Sequence, residues 1–156
     1  MPSALFRSRF GSFKQLLILG GLLVLALLLS GCVEKADWEA DRLVQSGERF
    51  GPQRVLLASF PARTLPELRA LAEALRRQPG LAAVLATHDG QKVAVIAACA
   101  PGAGLSAREL LARLLSASPP LGWRGGGDEQ LAQGGGAADE EGYQRFLESA
   151  KSILAE

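Results

Sequence analysis

The chain has 156 residues, 48% hydrophobic and 21% charged, which is enough for one domain with its own core and argues against a second. The formal net charge is +1, but three of the 17 basic residues (Arg7, Arg9 and Lys14) precede an apolar run, and without them 14 basic residues face 16 acidic ones, a net charge of −2. The remainder therefore lacks the strongly basic footprint that is typical of proteins that bind the nucleic-acid backbone.

Residues 1–31 have the order of a secretory signal, with a basic start that ends at Lys14 and an uncharged, leucine-rich run over residues 15–31. The run ends in Leu-Ser-Gly followed by Cys32, which resembles the lipobox of bacterial lipoproteins. The resemblance implies that Cys32 is lipidated and that its acyl chains anchor the protein in the membrane. The positive charges then place the rest of the chain on the outer face of the bacterial inner membrane or in the envelope.

Two alternatives remain open for this segment. The apolar run over residues 15–31 is long enough to be a short uncleaved anchor helix, which would also tether the domain to the membrane. A wrongly assigned start codon would instead leave a cytoplasmic protein without the segment.

After the signal or anchor segment we predict a tether with a helical tendency over residues 32–52 and a domain over residues 53–156. Within the domain, in chain order, we predict a strand over residues 53–60, a helix over 64–78, two strands over 81–87 and 92–99, a helix over 106–115 and a final helix over 139–155. The Asp89-Gly90 pair favours a tight hairpin between the two central strands. This order predicts an α/β fold in which a small mixed sheet carries helices, preceded by an N-terminal hydrophobic helix.

The segment over residues 122–136, GWRGGGDEQLAQGGG, contains two glycine triplets. Glycine adds no apolar surface and raises the entropy cost of ordering the chain, so core packing does not explain them. They indicate unusual backbone angles or a backbone that approaches another surface closely. We predict a glycine-rich loop between the last two helices, which either connects them to the sheet or presents backbone N–H groups to a phosphate.

This segment resembles the DHH-associated domain found at the C-terminus of alanyl-tRNA synthetases, in alanyl-tRNA editing proteins and in DHH phosphoesterases. The order of the strand, helix and hairpin before it is similar as well, so the resemblance covers roughly residues 53–155. The positions that match the family pattern are Gly125, Gly126, Gly127, Ala132, Gln133, Gly134, Gly135 and Gly136. Departures from the pattern are Trp123, Asp128, Glu129 and Gln130.

The resemblance implies a non-catalytic module that binds tRNA or another nucleic acid, here tethered to a membrane. Its candidate binding residues are Arg124, Gly125, Gly126, Gly127, Gln133, Gly134, Gly135, Gly136 and Arg108. The alternative, favoured by the lipobox and the acidic departures, is an envelope lipoprotein that uses the fold for a protein interaction or a structural role.

Catalytic and metal-binding motifs are missing from the sequence. The HxxxH and CxxxH signatures of the editing enzymes and the Asp-His-His metal motif do not occur, and one histidine cannot supply a zinc site or a Ser-His-Asp triad. We therefore predict no enzyme activity, no metal and no cofactor. The lone histidine, His88, is predicted to be an exposed residue of the hairpin turn, and Cys99 a small buried hydrophobic residue.

Overall fold

The computed structural model describes residues 35–117 and 122–156. Residues 36–156 form one compact unit. The predictions for residues 1–31 and for Cys32 lie outside the described residues and stay predictions. Among the residues described, no helix combines the length and the apolar character needed to cross a bilayer.

A six-stranded sheet forms the centre of the unit, with the strand order β1-β2-β3-β4-β6-β5. The strands are β1 (Arg49–Phe50), β2 (Val55–Ser59), β3 (Ala82–His88), β4 (Lys92–Cys99), β5 (Arg124–Gly127) and β6 (Leu131–Ala137). Only the β2–β3 pair is parallel among these strands, and the other four pairs are antiparallel. The predicted mixed sheet is therefore confirmed.

Within the described ranges, four helices cover the two faces of the sheet. They are α1 (residues 35–46), α2 (Leu65–Leu75), α3 (Ala107–Ala117) and α4 (Glu140–Ala155). Helices α1 and α2 pack on one face through buried side chains such as Ala40 and Leu71. Helices α3 and α4 pack on the opposite face through side chains such as Leu111 and Phe146. The sheet thus separates two apolar layers, and strands β3 and β4 between them are almost completely buried.

Local hydrogen bonds and one glycine turn set the ends of these elements. The backbone N–H of Thr64 donates to the Glu67 carboxylate at the start of α2, over 3.0 Å. The carboxylate of Asp139 accepts from the backbone N–H of Gly142 at the start of α4, over 2.8 Å. Gly90 turns the β3–β4 hairpin with a φ of 97°, which is the conformation that glycine accepts at no steric cost.

The segment predicted to be a tether contributes to the compact unit. Ala40 is fully buried in the α2 side of the core, and Leu43 and Val44 pack against it. The Glu39 carboxylate pairs with Arg63 at 2.8 Å, which fixes α1 to the loop before α2. The compact unit therefore begins near residue 36 instead of residue 53.

The prediction of a glycine-rich loop is wrong, because residues 124–137 form the antiparallel hairpin β5–β6. Glycine disfavours strands, so the sequence carried no strand signal here. Strand β6 forms because it pairs with the edge of β4 that β3 leaves open. The pairing covers seven residues, from Lys92 opposite Ala137 to Ala98 opposite Leu131. In the sheet, β6 therefore lies beside β4, and β5 lies at the edge.

The prediction that His88 is exposed is also wrong. His88 is the last residue of β3, is 5% exposed and stacks on Tyr143 with 5.1 Å between ring centroids. Its Nδ1 lies 3.1 Å from the Glu140 carboxylate and its Nε2 lies 3.0 Å from the Ala138 carbonyl. Helix α4, fifty residues away in sequence, thus buries a residue that a hairpin tip alone would leave in solvent.

The prediction for Cys99 is confirmed. Its side chain is 1% exposed within the α3–α4 layer, and burial raises the pKa of its thiol to about 11.

Candidate nucleic-acid interface

The β5–β6 hairpin has one covered and one open face. On the covered face the hairpin lies under α3, whose Leu111 and Leu115 lie directly over Gly125 and Gly134. A Cβ atom at Gly125 would come within 2.9 Å of the Leu111 side chain, and one at Gly134 within 3.0 Å of Leu115. These two glycines therefore allow α3 to approach the sheet closely, which is a structural role.

Gly136 allows the Trp123 side chain to pack closely against β6. A Cβ atom at Gly136 would overlap the indole ring. The Trp123 Nε1 donates to the Ala137 carbonyl over 3.1 Å, and its ring lies 5.1 Å from that of Phe146. The tryptophan that departs from the family pattern is thus a packing residue that joins the start of β5 to α4.

The open face of the hairpin is continuous with part of β4. Strand register places Ala94 beside Gly135 and Gly135 beside Arg124, and places Gln133 beside Gly126. Paired residues share a face of a sheet, and every second residue along a strand does so. We call this surface, formed by Lys92, Ala94, Arg124, Gly126, Gln133 and Gly135, the glycine face.

Almost no side chains cover the glycine face. Within 4 Å of the position of a Cβ atom at Gly126 there is no other atom, and Ala94 contributes only a methyl group. Helix α2 packs on β3 and β4, and its C-cap residue Arg76 donates to the Gln130 side chain in the β5–β6 turn over 3.0 Å. A ligand could therefore reach the strand backbone itself.

Two cations border this surface. Lys92 and Arg124 are exposed, and neither forms an ion pair within the described part of the chain. From a strand spacing of about 4.8 Å and a rise of about 3.3 Å per residue, their Cα atoms lie roughly 12 Å apart. Both long side chains can reach a ligand lying across the glycines. Lys92 was not among the predicted site residues, although the alternation in KVAVIAAC places it on the same face as Ala94 and Ile96.

Two acidic residues near this surface, Asp128 and Asp89, use their carboxylates to accept hydrogen bonds from the backbone of turns. The Asp128 carboxylate accepts from the N–H groups of Gln130 and Leu131, both at 2.8 Å, and these hydrogen bonds hold its pKa below the usual range. Asp89 does the same for Gln91 and Lys92 in the β3–β4 turn. The departure at Asp128 is therefore explained by turn formation.

Arg108 lies on the α3 side of the hairpin, away from the glycine face. Its Nε donates to the Gly127 carbonyl over 2.8 Å, so it ties α3 to the end of β5. Of the predicted site residues, the structure thus brings Arg124, Gly126, Gln133 and Gly135 together on the glycine face. Gly125, Gly134 and Gly136 lie on the covered face, and Gly127 lies at the end of β5.

The buried polar residues at the opposite end of the sheet have internal partners. The Tyr143 hydroxyl lies 2.7 Å from the Ser59 hydroxyl and donates to the Ala86 carbonyl over 3.2 Å. No group of three or more His, Cys, Asp or Glu side chains suited to a metal ion occurs in residues 35–117 or 122–156.

No protein-family model matches the chain. Over 124 residues it is 33% identical to an alanine–tRNA ligase from Latilactobacillus sakei subsp. sakei (strain 23K), and this match covers 77% of the chain and 14% of that enzyme. The crystal structure of the C-Ala domain from Aquifex aeolicus alanyl-tRNA synthetase matches with a TM-score of 0.58 and 24% identity, over 71% of this chain and 99% of that domain. The chain is therefore homologous to part of an alanyl-tRNA synthetase and has the fold of a C-Ala domain. The DHH-associated label stays a prediction.

Proposed function

We propose that the domain is a non-catalytic module that binds tRNA or a similar nucleic acid, with the glycine face as its contact surface. The observation that carries the proposal is an open strand surface without side chains, bordered by the unpaired cations Lys92 and Arg124, in a chain homologous to part of an alanine–tRNA ligase. A sugar–phosphate backbone fits such a surface, because it offers anionic oxygens to the two cations and hydroxyl groups to strand backbone.

The side chains of this surface also limit which features of a nucleic acid it can recognise. The glycine face holds no aromatic residue on which a base could stack, and its one amide side chain is Gln133. Recognition therefore depends on backbone shape and phosphate position more than on base identity. With only two cations, we expect modest affinity.

The salt dependence of binding tests the number of phosphate contacts. Each phosphate contact lowers the slope of log affinity against log salt by about 0.7 to 0.9, so two contacts give a slope near about −1.5. We therefore expect the affinity of the full chain for unfractionated tRNA to fall about eightfold between 50 and 200 mM salt. Fluorescence anisotropy with labelled tRNA, in a mild detergent that keeps residues 15–31 in solution, measures it.

Charge reversal locates the contacts. We expect the double variant Lys92→Glu, Arg124→Glu to lose at least about tenfold in affinity at low salt, since two favourable phosphate contacts become repulsive. The matched control is Arg69→Glu, Arg145→Glu, which changes the net charge equally on exposed positions of α2 and α4. An equal loss in the control, or no tRNA binding by the wild-type chain at micromolar concentration and low salt, contradicts the proposal.

We further propose that residues 1–31 direct the chain to the membrane and that Cys32 is lipidated, which leaves an envelope lipoprotein with a protein-binding or structural role as the second candidate function. The basic start, the apolar run and the Leu-Ser-Gly-Cys sequence support it. In a bacterial host we expect the mature protein to begin at a lipidated Cys32 and to partition with membranes. The Cys32→Ala variant should keep its full N-terminal segment by mass spectrometry. An intact Met1 form of the wild-type chain in the soluble fraction contradicts this assignment and supports the cytoplasmic alternative.

A further inference from the structure

Helix α1 carries the most exposed large hydrophobic side chain of the described residues. Trp38 is 60% exposed, and Leu65 at the start of α2 follows with 41%. Both belong to the helices of one layer, because α1 and α2 pack on the same face of the sheet. Within residues 107–117 and 140–155, which form the helices of the opposite layer, no large hydrophobic side chain is exposed to this extent. The two layers therefore present different surfaces to their surroundings.

Trp38 lies on the side of α1 that points away from the core. Ala40 is fully buried, and Leu43 packs against the core. Trp38, Arg42 and Gln45 recur at intervals of four and three residues, so they share the other side of the helix, and all three are exposed. We call this surface, formed by these three residues, the outer face of α1.

The outer face of α1 places a positive charge next to an aromatic ring. The Arg42 guanidinium lies over the Trp38 ring, 4.8 Å from its centroid. Each of the three acidic residues of α1 has a partner elsewhere in the domain, in the pairs Asp37–Arg77, Glu39–Arg63 and Asp41–Gln78. These contacts draw the carboxylates to the flanks of the helix. The combination of an indole and a cation that remains is suited to phospholipid headgroups.

The proposed membrane anchor ends close to this face. Cys32 lies three residues before α1, and the apolar run over residues 15–31 directly precedes it. Three Cα steps of about 3.6 Å and three helical rises of about 1.5 Å keep Trp38 within roughly 15 Å of Cys32 along the chain. Either form of the anchor, a lipidated Cys32 or an uncleaved helix, therefore holds the outer face of α1 near the headgroup layer. Tryptophan is enriched at this depth, because its ring is apolar and its N–H can reach water.

We propose that the outer face of α1 docks on the lipid surface, with the Trp38 indole at headgroup level and Arg42 beside lipid phosphates. This docking rests on the proposed membrane anchor, which makes the contact an intramolecular step. One aromatic side chain and one cation bind a membrane only weakly by themselves. Held at the surface by the anchor, they set the orientation of the domain, with the α1–α2 layer toward the bilayer and the α3–α4 layer away from it.

Quenching by brominated lipid tests the docking, because the chain has two tryptophans and only Trp38 is placed at the bilayer. Trp123 packs on Phe146 in the opposite layer. The full-length chain is reconstituted by detergent removal into vesicles of phosphatidylcholine and phosphatidylglycerol. In a parallel sample, the phosphatidylcholine carries bromine atoms on its acyl chains close to the headgroups, which quench an indole that lies against the lipid. The difference between wild type and Trp38→Phe gives the emission of Trp38.

We expect brominated lipid to remove roughly half or more of the Trp38 emission, since the indole lies at the depth of the bromine atoms. The emission that remains in Trp38→Phe comes from Trp123 and should be nearly the same in both kinds of vesicle. The phenylalanine variant should fold normally, because residue 38 is largely exposed.

Charge reversal tests the part played by Arg42. At low salt we expect Arg42→Glu to reduce the quenched fraction of Trp38 at least about twofold, because an attraction to anionic lipid becomes a repulsion. The matched control is Arg145→Glu, which makes the same change of charge at an exposed position of α4 and should leave the quenching unaltered. Each quenched fraction is taken relative to the same variant in vesicles without bromine.

Sedimentation of the vesicles separates the docking from the anchor. If the wild-type chain sediments with the vesicles but brominated lipid quenches wild type and Trp38→Phe equally, the docking is overturned and the membrane anchor stands. Equal effects of Arg42→Glu and Arg145→Glu overturn the docking as well. A wild-type chain that stays in the supernatant removes the membrane anchor and the docking with it. The samples contain no RNA, so none of these results depends on the proposed nucleic-acid binding.

Discussion

Replacing Gly135 by alanine is expected to destabilise the domain by about 3 kcal/mol or more, which is a large part of the stability of a typical small domain. Gly135 has a φ of 151°, a conformation that L side chains rarely adopt. A Cβ atom there would also overlap the Val93 carbonyl on the neighbouring strand, and a backbone group cannot rotate away as a side chain can. Strand β6 would have to separate from β4 at the centre of the sheet to accept the methyl group.

The control for this prediction is Gly126→Ala. Gly126 pairs with Gln133 in the same hairpin, has no positive φ, and has no atom within 4 Å of the added Cβ position. We expect its effect to stay within about 0.5 kcal/mol. Urea unfolding followed by circular dichroism compares the two variants with wild type. A stability of Gly135→Ala equal to that of Gly126→Ala would show that the hairpin does not pair with β4 in the register described.

These glycines show where sequence reasoning reached its limit. The triplets correctly indicated close backbone approach, which Gly134 and Gly135 display, and unusual backbone angles, which Gly127 and Gly135 display with φ values of 156° and 151°. The pattern could not indicate a strand, because strand formation here depends on the free edge of β4 and on α3, which cover the hairpin from elsewhere in the chain. Edge pairing is decided by tertiary structure, and it overrides a poor intrinsic strand preference.

Local sequence signals were sufficient to predict where helices begin and where the central hairpin turns. Helices α2 and α4 begin next to Thr64 and Asp139, where the predicted helix ranges begin, and Gly90 turns the central hairpin as predicted. The same signals carry no information on burial by distant elements. Ala40 was expected in a tether and His88 in an exposed turn, and both are buried by elements from other parts of the chain. For the candidate site, the sequence identified Arg124, but Lys92 joins it only through the register of β4 with β6.

The side chain of Tyr143 holds α4 on the sheet, so its removal is the second large effect we expect. The side chain is 2% exposed, stacks on His88 and shares hydrogen bonds with Ser59 and the Ala86 carbonyl. Burial raises the pKa of its hydroxyl, which therefore stays protonated and able to donate at neutral pH. Tyr143→Ala would leave a cavity between α4 and β3 and would remove the ring on which His88 rests. We expect a loss of about 3 to 5 kcal/mol in the free energy of unfolding.

The companion variant Tyr143→Phe separates packing from hydrogen bonding. It keeps the ring and its stacking on His88 but leaves the Ala86 carbonyl without its hydroxyl donor, which should cost about 1 kcal/mol. Denaturant unfolding of both variants at neutral pH gives the two values. If Tyr143→Phe loses as much stability as Tyr143→Ala, the hydroxyl network and not the ring holds α4 on the sheet. The glycine face would then depend on that network indirectly, because α4 also contacts Trp123 through Phe146, and Trp123 lies at the start of β5.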